Sequence, residues 1–167
     1  MDPLILSNLK KVPFFTKFKK DNAVMEKIAA MCVRRDIKKG KTVIKEGEYG
    51  DELFIIMDGQ IEILKKTLQN ELYTVTSLDA SSGGVYVGEL AMIDNDIRSA
   101  TVMAKTDCDC LIIKRKKFLK FGDENPIEGL EITRAIAMQL ARNLRKTNSD
   151  VITLFSALVE EVAGEEL

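Results

Sequence analysis

The sequence predicts a mainly β fold with flanking α elements. We expect a double-stranded β-helix or jelly-roll barrel with short N-terminal helices and a long C-terminal helix. Three observations predict it: an opening segment with helical spacing, a central region of short strands, and a closing segment with apolar residues at three- and four-residue steps. The 167 residues have the size of one ordinary domain. We divide them into a barrel with its N-terminal helices, residues 1–125, and a C-terminal helical region, residues 126–167.

The opening segment predicts two short helices. Apolar residues between positions 4 and 18 surround Pro13 at a spacing typical of a helix, a turn and a second helix. We expect both helices to pack on a larger body.

The central region, residues 33–114, alternates short runs rich in Val, Ile, Thr and Tyr with breaks at Gly and Asp. The predicted strands are residues 41–44, 53–57, 60–64, 72–76, 99–104 and 110–113. Asp58-Gly59 is a tight hairpin turn between two of them. Many short strands at this spacing indicate a sandwich or barrel of the jelly-roll kind. The basic cluster at residues 114–117 is interpreted as a solvated surface turn.

The composition excludes several classes of function. Lys and Arg number 25 against 26 Asp and Glu, a net charge of −1 that does not favour nucleic-acid binding through bulk charge. The chain has no histidine, which excludes Ser-His, Cys-His and His-zinc chemistry. Cys32, Cys108 and Cys110 cannot all pair, which fits a reducing compartment. We expect no catalytic residue and no metal site.

The cellular location is predicted from two features. No apolar run approaches the ~20 residues of a membrane span. The N-terminus lacks the basic head and small-residue cleavage site of a signal peptide. We therefore expect a cytoplasmic chain that does not associate with membranes.

The closing segment predicts a long helix that starts with Asn125 as its cap and Pro126 in its first turn. If it continues to about Val162, its length of roughly 50 Å exceeds what a small barrel can cover. The same helix of a second copy would cover the remaining apolar stripe, giving a homodimer. The alternative is a helix that breaks near residues 148–150 and folds back. Residues 160–167 are acidic and too few for a DNA-binding domain, so we expect no DNA partner.

Residues 87–102 have the chemistry of a phosphate and sugar site. Gly88 allows close backbone approach, and a short helix that begins at Glu89 presents free N–H groups to an anion. Arg98 can clamp a phosphate with two charge-assisted bonds, and Ser99 adds a hydroxyl donor. A carboxylate beside a phosphate is repulsive unless it has another task, such as binding a sugar hydroxyl. A plain surface ion pair between Glu89 and Arg98 explains the pattern equally well.

Two motifs in this chain resemble those of cyclic nucleotide-binding domains. Gly88-Glu89-Leu90-Ala91, a loop and Arg98-Ser99-Ala100-Thr101 are similar to the phosphate-binding cassette of that family. Residues 46–61 are similar to its glycine-punctuated hairpin region, and the resemblance extends over roughly residues 9–151.

The resemblance implies a role for each cassette residue. Glu89 would hold the ribose 2′-hydroxyl, and Arg98 would pair with the exocyclic phosphate oxygen. N–H groups around Leu90, Ala91 and Ala100 would complete the phosphate cradle. Asp94 and Asp96 would oppose an anion, so we expect them on the solvent side of the loop.

The resemblance also implies contacts to the base. Ile63 and Val75 would line the base pocket, although such strand residues also serve as core fillers. Residues 137–147 are similar to the dimer helix of the bacterial catabolite activator protein, where an adjacent threonine and serine reach the adenine. Thr147 and Asn148 fall at these positions, and Thr147 has an alternative interpretation as a back-bonding helix threonine. Ser99 favours cAMP as the ligand, with cGMP as the alternative.

We therefore expect a non-catalytic receptor for a cyclic mononucleotide, without a cofactor, that relays binding through its C-terminal helix. Its downstream partner is not identified by the sequence. The alternative is a domain that keeps the fold, has lost the ligand and serves as a dimerisation or scaffold module. The retained Glu89 and Arg98 argue against that alternative.

Overall fold

A computed structural model describes residues 2–94 and 96–164 and confirms the predicted fold class. Within these residues, eight strands and five α-helices follow one another along the chain. The strands are β1 (Cys32–Ile37), β2 (Thr42–Ile44), β3 (Glu52–Asp58), β4 (Gln60–Lys66), β5 (Leu72–Asp79), β6 (Val85–Val87), β7 (Thr101–Ala104) and β8 (Cys108–Lys114). The helices are α1 (Pro3–Leu9), α2 (Asn22–Met31), α3 (Leu90–Ile93), α4 (Arg115–Glu124) and α5 (Pro126–Gly164), with 3-10 helices at Pro13–Phe18 and Ala80–Ser82.

The strands form two four-stranded antiparallel sheets, in the orders β1-β8-β3-β6 and β2-β7-β4-β5. The core lies between them and takes apolar side chains from both sheets, among them Phe54 of β3, Ile61 of β4 and Val102 of β7. The predicted hairpin joins β3 to β4 through Gly59, whose φ is 100°. A Cβ at Gly59 would lie 2.5 Å from the carbonyl oxygen of Asp107, so glycine is needed there.

The opening segment contains a third helical element in addition to the two helices expected. Asp2 caps α1 and Asp21 caps α2, each by accepting a hydrogen bond from a backbone amide two or three residues on. The 3-10 helix between them begins at Pro13. Its Phe14 ring packs edge-on against Tyr86 of β6 at 4.8 Å between centroids. The segment therefore packs on the barrel, as the sequence predicted.

Two elements were absent from the sequence prediction: β1 and α4. The interpretation of residues 114–117 as a surface turn was wrong, because α4 begins at Arg115. Phe118 and Phe121, three residues apart, are both buried and anchor this helix. Lys116 and Lys117 are exposed, which is why the cluster resembled a turn.

The last helix, α5, is continuous from Pro126 to Gly164, so the alternative of a break near residues 148–150 is wrong. The Asn125 carbonyl accepts the first bond of the helix from the Gly129 amide at 2.8 Å. The chain divides into two compact units, one ending at Thr133 and the other beginning at Arg134. The predicted domain boundary at residues 125 and 126 stays a prediction.

The second unit consists of the remainder of α5, and it exposes many apolar side chains. Leu144, Val151 and Leu158 recur every seven residues and are 56–62% exposed. None of the helices in the described part of the chain combines the length and apolar character that crossing a membrane requires.

Candidate functional site

The segment of residues 88–101, here called the cassette segment, connects β6 to β7 and contains α3. It begins at Gly88, which has a φ of 84°. A Cβ at this position would lie 2.8 Å from the Glu52 carbonyl oxygen and 2.8 Å from Arg98 Nη1. Gly88 is therefore required both by its backbone conformation and by the approach of the arginine.

The Arg98 guanidinium is half-buried and bonded to backbone carbonyls. Its Nη2 donates to the Glu52 carbonyl at 2.6 Å, and its Nη1 donates to the Gly88 carbonyl at 3.4 Å. On another side lies Gly50, where a Cβ would be 2.5 Å from Nε of the guanidinium. Two glycines thus make room for one arginine.

Arg98 keeps its positive charge in this site. Burial lowers the pKa of its guanidinium, and nearby carboxylates, Glu52 most strongly, oppose that effect. An arginine starts from so high a pKa that it stays protonated. The Glu52 carboxylate is engaged elsewhere, since it lies 3.3 Å from Arg35 Nη2 and 3.8 Å from Lys114 Nζ.

Glu89 is half-buried at the N-terminus of α3. Burial raises the pKa of its carboxyl, while its own backbone amide and the charge of Arg98 act in the opposite direction. Among the residues that the structure describes, Glu89 and Arg98 form no direct ion pair, although their charges interact. The interpretation of the two as a plain surface ion pair is therefore not what the structure contains.

The predicted phosphate cradle is only partly open to a ligand. The Ala91 amide donates to the Gly88 carbonyl at 3.2 Å, and the Ala91 side chain is buried. Leu90 and Ser99 are exposed, and Ala100 is half-buried. Of the three amides predicted to bind phosphate, that of Ala91 already donates to a protein carbonyl. It would have to share its hydrogen between that carbonyl and a bound phosphate. Asp94 and Asp96 are exposed, as expected.

The two predicted base-pocket residues lie in neighbouring strands with different burial. Ile63 of β4 is half-buried and packs against the core. Val75 of β5 is 52% exposed. The register passes from the pair Ile63–Thr76 to the pair Leu64–Thr74, so Val75 is the extra residue of a β-bulge. A bulge redirects side chains locally, and the role of both residues stays a prediction.

Thr147 and Asn148 belong to the second unit of the chain, and both are exposed. They follow Leu144 by three and four residues, which places them on its face of the helix. Their predicted contact with the base stays a prediction.

Sequence reasoning missed the residues that support the cassette segment from behind. Lys65 Nζ lies 2.9 Å from Glu46 Oε1 and also donates to the Ser99 carbonyl. Gly50 and the Glu52 carbonyl enclose Arg98. Glu46 and Gly50 belong to the second family-like motif, which was a usable signal for them. A lysine near the end of a strand gives no such signal.

Two further observations concern the described residues outside the cassette segment. In residues 2–94 and 96–164, no group of three or more Cys, Asp or Glu side chains is arranged to hold a metal ion. Two clefts of about 440 and 480 Å³ lie along α4, and none of the predicted site residues lines them.

Comparison with protein families gives a match over the centre of the chain. A family model described as a cyclic nucleotide-binding domain matches residues 34–125, more than half of the 167 residues. The matched range contains the whole cassette segment and both predicted base-pocket residues.

Similar proteins include one protein kinase and one regulatory subunit of a protein kinase. A cGMP-dependent protein kinase from Plasmodium berghei (strain Anka) is 36% identical over 53% of this chain and 10% of its own length. A cAMP-dependent protein kinase regulatory subunit from Mycosarcoma maydis is 35% identical over 60% of this chain and 20% of its own length. The matched region thus spans a fifth or less of these relatives.

A solved structure supports the fold. The catabolite activator protein of Thermus thermophilus superposes with a TM-score of 0.72 at 23% identity, covering 85% of this chain and 62% of that one. At this identity the likeness concerns the fold alone.

Proposed function

Because the chain belongs to the cyclic nucleotide-binding domain family, we propose that it is a receptor that binds a cyclic mononucleotide, with cAMP preferred over cGMP. The observation that carries the proposal is that the charged Arg98 side chain is half-buried without a direct ion pair. A guanidinium has five N–H donors, and in the described part of the chain its hydrogen bonds go to two backbone carbonyls. The charge is half-buried and not neutralised by a direct ion pair, so an anion that reached its free edge would bind strongly.

The proposed roles of the site residues follow from their charge and position. Arg98 pairs with the exocyclic phosphate oxygen, and Glu89 accepts a hydrogen bond from the ribose 2′-hydroxyl. Amides at Leu90 and Ala100 donate to the phosphate, with Ala91 sharing its hydrogen. Because burial disfavours the ionised form of Glu89, a hydroxyl donor would offset part of that cost.

The preference for cAMP rests on Ser99. Asn148 departs from the serine of the similar activator protein and could contact either base. The two similar relatives named above carry cGMP and cAMP in their names, so they do not separate the two ligands. Ile63 and Val75 are the proposed walls of the base pocket. A side-by-side calorimetric titration with cAMP and cGMP measures the preference directly.

The relay is the second part of the proposal. Nucleotide binding changes the angle or order of α5 by favouring one of its arrangements. The exposed stripe of Leu144, Val151 and Leu158 supports a homodimer, since its seven-residue spacing suits helix-to-helix packing. We propose no catalytic activity, no resident cofactor, no DNA or membrane partner and a cytoplasmic location, and the downstream partner is unknown. Incubation with cAMP followed by an assay for AMP tests the absence of hydrolysis.

The binding proposal is tested by calorimetric titration of the wild-type protein, Arg98→Ala and Arg34→Ala. Arg34 is a matched control because it pairs with Asp109 at 2.6 Å on β8, outside the cassette segment. Arg98→Ala is expected to weaken binding by about 1.5–3 kcal/mol, the range for a hydrogen bond to a charged group. Arg34→Ala should bind as the wild type does. A wild-type protein that gives no heat with either nucleotide would support the scaffold function instead.

The homodimer is tested by sedimentation of the wild-type protein, Leu144→Glu and Ser149→Glu. Both substitutions add one negative charge to α5, but only the first lies on the apolar stripe. We expect a dimer for the wild type and Ser149→Glu, and a monomer for Leu144→Glu. A monomeric wild type rejects the dimer.

A further inference from the structure

The backbone at the end of the cassette segment is held along one side by the segment of residues 46–48. The Gly47 amide donates to the Arg98 carbonyl at 3.0 Å, and the Arg98 amide donates to the Glu48 carbonyl at 2.8 Å. The Glu46 amide donates to Oγ1 of Thr101 at 3.1 Å. Arg98 and Thr101 are therefore fixed by this segment, whereas Ser99, between them, is fixed by a side chain.

That side chain belongs to Lys65, which contacts both Ser99 and Glu46. Its Nζ donates to the Ser99 carbonyl and also to Glu46 Oε1 at 2.9 Å. The other carboxylate oxygen of Glu46 accepts from the Lys66 amide at 3.0 Å. The hydrogen bond from Lys65 lowers the pKa of the Glu46 carboxyl, so Glu46 is charged at neutral pH. Glu46 thus orients the Lys65 ammonium group, and the same ammonium group holds the Ser99 carbonyl of the cassette segment.

Fixing the Ser99 carbonyl also fixes the next amide. The peptide unit that joins Ser99 to Ala100 is planar and trans, so its C=O and N–H point in opposite directions. In the described part of the chain, the Ala100 N–H, which precedes β7, donates to no protein acceptor. Lys65 therefore determines where a free backbone donor points without approaching that donor itself.

We propose that Lys65, oriented by Glu46, is a positioning residue that aims the Ala100 amide at the phosphate of the bound nucleotide. The inference rests on the proposed function and adds a residue to it that lies outside the cassette segment. An isolated surface ion pair contributes little to stability. The importance of this pair lies in the backbone carbonyl that it captures.

The same sheet offers a matched control pair. Lys105 lies 3.0 Å from Glu62 of β4, and its side chain is 48% exposed, against 42% for Lys65. The Lys105–Glu62 pair has no contact with the cassette segment among the described residues. Loss of the Lys105 pair should therefore affect the barrel as loss of the Lys65 pair does, but leave the Ala100 amide in place.

The experiment measures the affinity for cAMP and cGMP by calorimetry and the melting temperature without nucleotide. Lys65→Met is expected to weaken binding of the preferred nucleotide about tenfold, the loss of one charge-assisted hydrogen bond. Lys65→Arg, which can donate to both acceptors, and Lys105→Met should stay within about twofold of the wild type. If Lys65→Met does not fold, Glu46→Gln replaces it, with an expected loss of more than about threefold.

A second readout separates positioning from a general structural effect. The titrations are repeated with the two cAMP phosphorothioates, in which sulfur replaces one or the other exocyclic oxygen. The Lys65→Met penalty should persist for one isomer and fall below about twofold for the isomer that lacks the oxygen facing Ala100. Equal penalties for all three ligands overturn the proposal.

The outcomes distinguish this inference from the proposed function. A wild-type protein that binds neither nucleotide rejects both. A wild-type protein that binds, with Lys65→Met or its substitute Glu46→Gln unchanged in affinity, rejects the role of Lys65 and leaves the receptor function standing.

Discussion

The barrel and the C-terminal helix expose apolar side chains to very different extents. Phe54 in β3 is 3% exposed, whereas Phe155 in α5 is 66% exposed. Leu53 and Leu158 show the same contrast, at 2% and 56%. The two regions have similar apolar content, but strand β3 is paired on both sides within a sheet, between β8 and β6. Apolar content therefore predicts that an element forms, and its neighbours decide whether its side chains are covered.

Polar side chains of the site show the opposite distribution: they are more buried in the barrel than in the helix. The barrel encloses the charged Arg98 and Glu89, at a cost in hydration, while Thr147 and Asn148 of the helix are exposed to solvent. A half-buried charge that lacks a direct ion pair is typical of a ligand site. An exposed apolar stripe is typical of an interface. This difference supports the proposals that the barrel binds the ligand and that the helix forms the interface between two copies.

The largest expected effect comes from the matched pair Phe54→Ala and Phe155→Ala. Phe54→Ala should reduce the free energy of unfolding by about 3–5 kcal/mol, because it leaves a cavity in the core. Phe155→Ala should cost less than about 0.5 kcal/mol at a concentration where the chain is a monomer. Urea unfolding measures both. Equal losses would mean that the helix is packed as tightly as the barrel.

A second comparison concerns two glycines of the barrel with similar backbone conformation. Gly88 and Gly40 have φ values of 84° and 79°, but a Cβ at Gly40 meets nothing within 4 Å. Gly40→Ala should cost about 1 kcal/mol for the left-handed conformation alone. Gly88→Ala should cost about 1–2 kcal/mol more, because the new Cβ meets Arg98 and Glu52. Thermal unfolding measures stability, and calorimetry should show weaker nucleotide binding for Gly88→Ala only. Identical results for both variants contradict this account of Gly88.

The charge of Glu89 leads to a pH prediction. Burial raises its pKa in the folded state, so its contribution to stability is present at low pH and is lost as the pH rises through that raised pKa. Glu89→Gln should therefore raise the melting temperature of the ligand-free protein at pH 7 and weaken nucleotide binding about tenfold. As the pH falls towards the raised pKa of Glu89, the wild-type affinity should fall, and that of Glu89→Gln should fall less. Parallel pH profiles for the two proteins count against a role for the carboxylate.

The smallest effect tests whether the helix contributes to the site at all. Thr147→Val keeps the shape of the side chain and removes its hydroxyl. If the hydroxyl binds the base, affinity for the preferred nucleotide should fall about three- to tenfold, while the melting temperature without nucleotide stays within about a degree. Titration and melting of the same samples give both values. Unchanged affinity confines the site to the barrel and leaves the back-bonding interpretation of Thr147.

The sequence predicted the strands rich in β-branched and apolar residues and missed β1, which is rich in charged residues. Strand β1 contains Arg34, Arg35 and Asp36, and these side chains are exposed at the edge of its sheet. Helix α4 depends on burial of Phe118 and Phe121, and its basic start concealed it. Each missed element is stabilised mainly by tertiary neighbours.

The sequence by itself predicted most strands of the barrel, the glycine bends at Gly59 and Gly88, and a long helix that begins near Pro126. These follow from local conformational preference and from the periodicity of apolar residues. It also identified Glu89 and Arg98 as chemically unusual neighbours.

Only the tertiary structure decided which groups surround them. The carbonyl that binds Arg98 belongs to Glu52, 46 residues away in the chain, and the lysine that holds Ser99 is 34 residues away. Every residue has a backbone carbonyl, so the sequence does not show which one will bind Arg98. The position of a lysine in the sequence likewise does not show which acceptor it will bind. Such contacts depend on how two sheets bring distant segments together, which local preferences leave open.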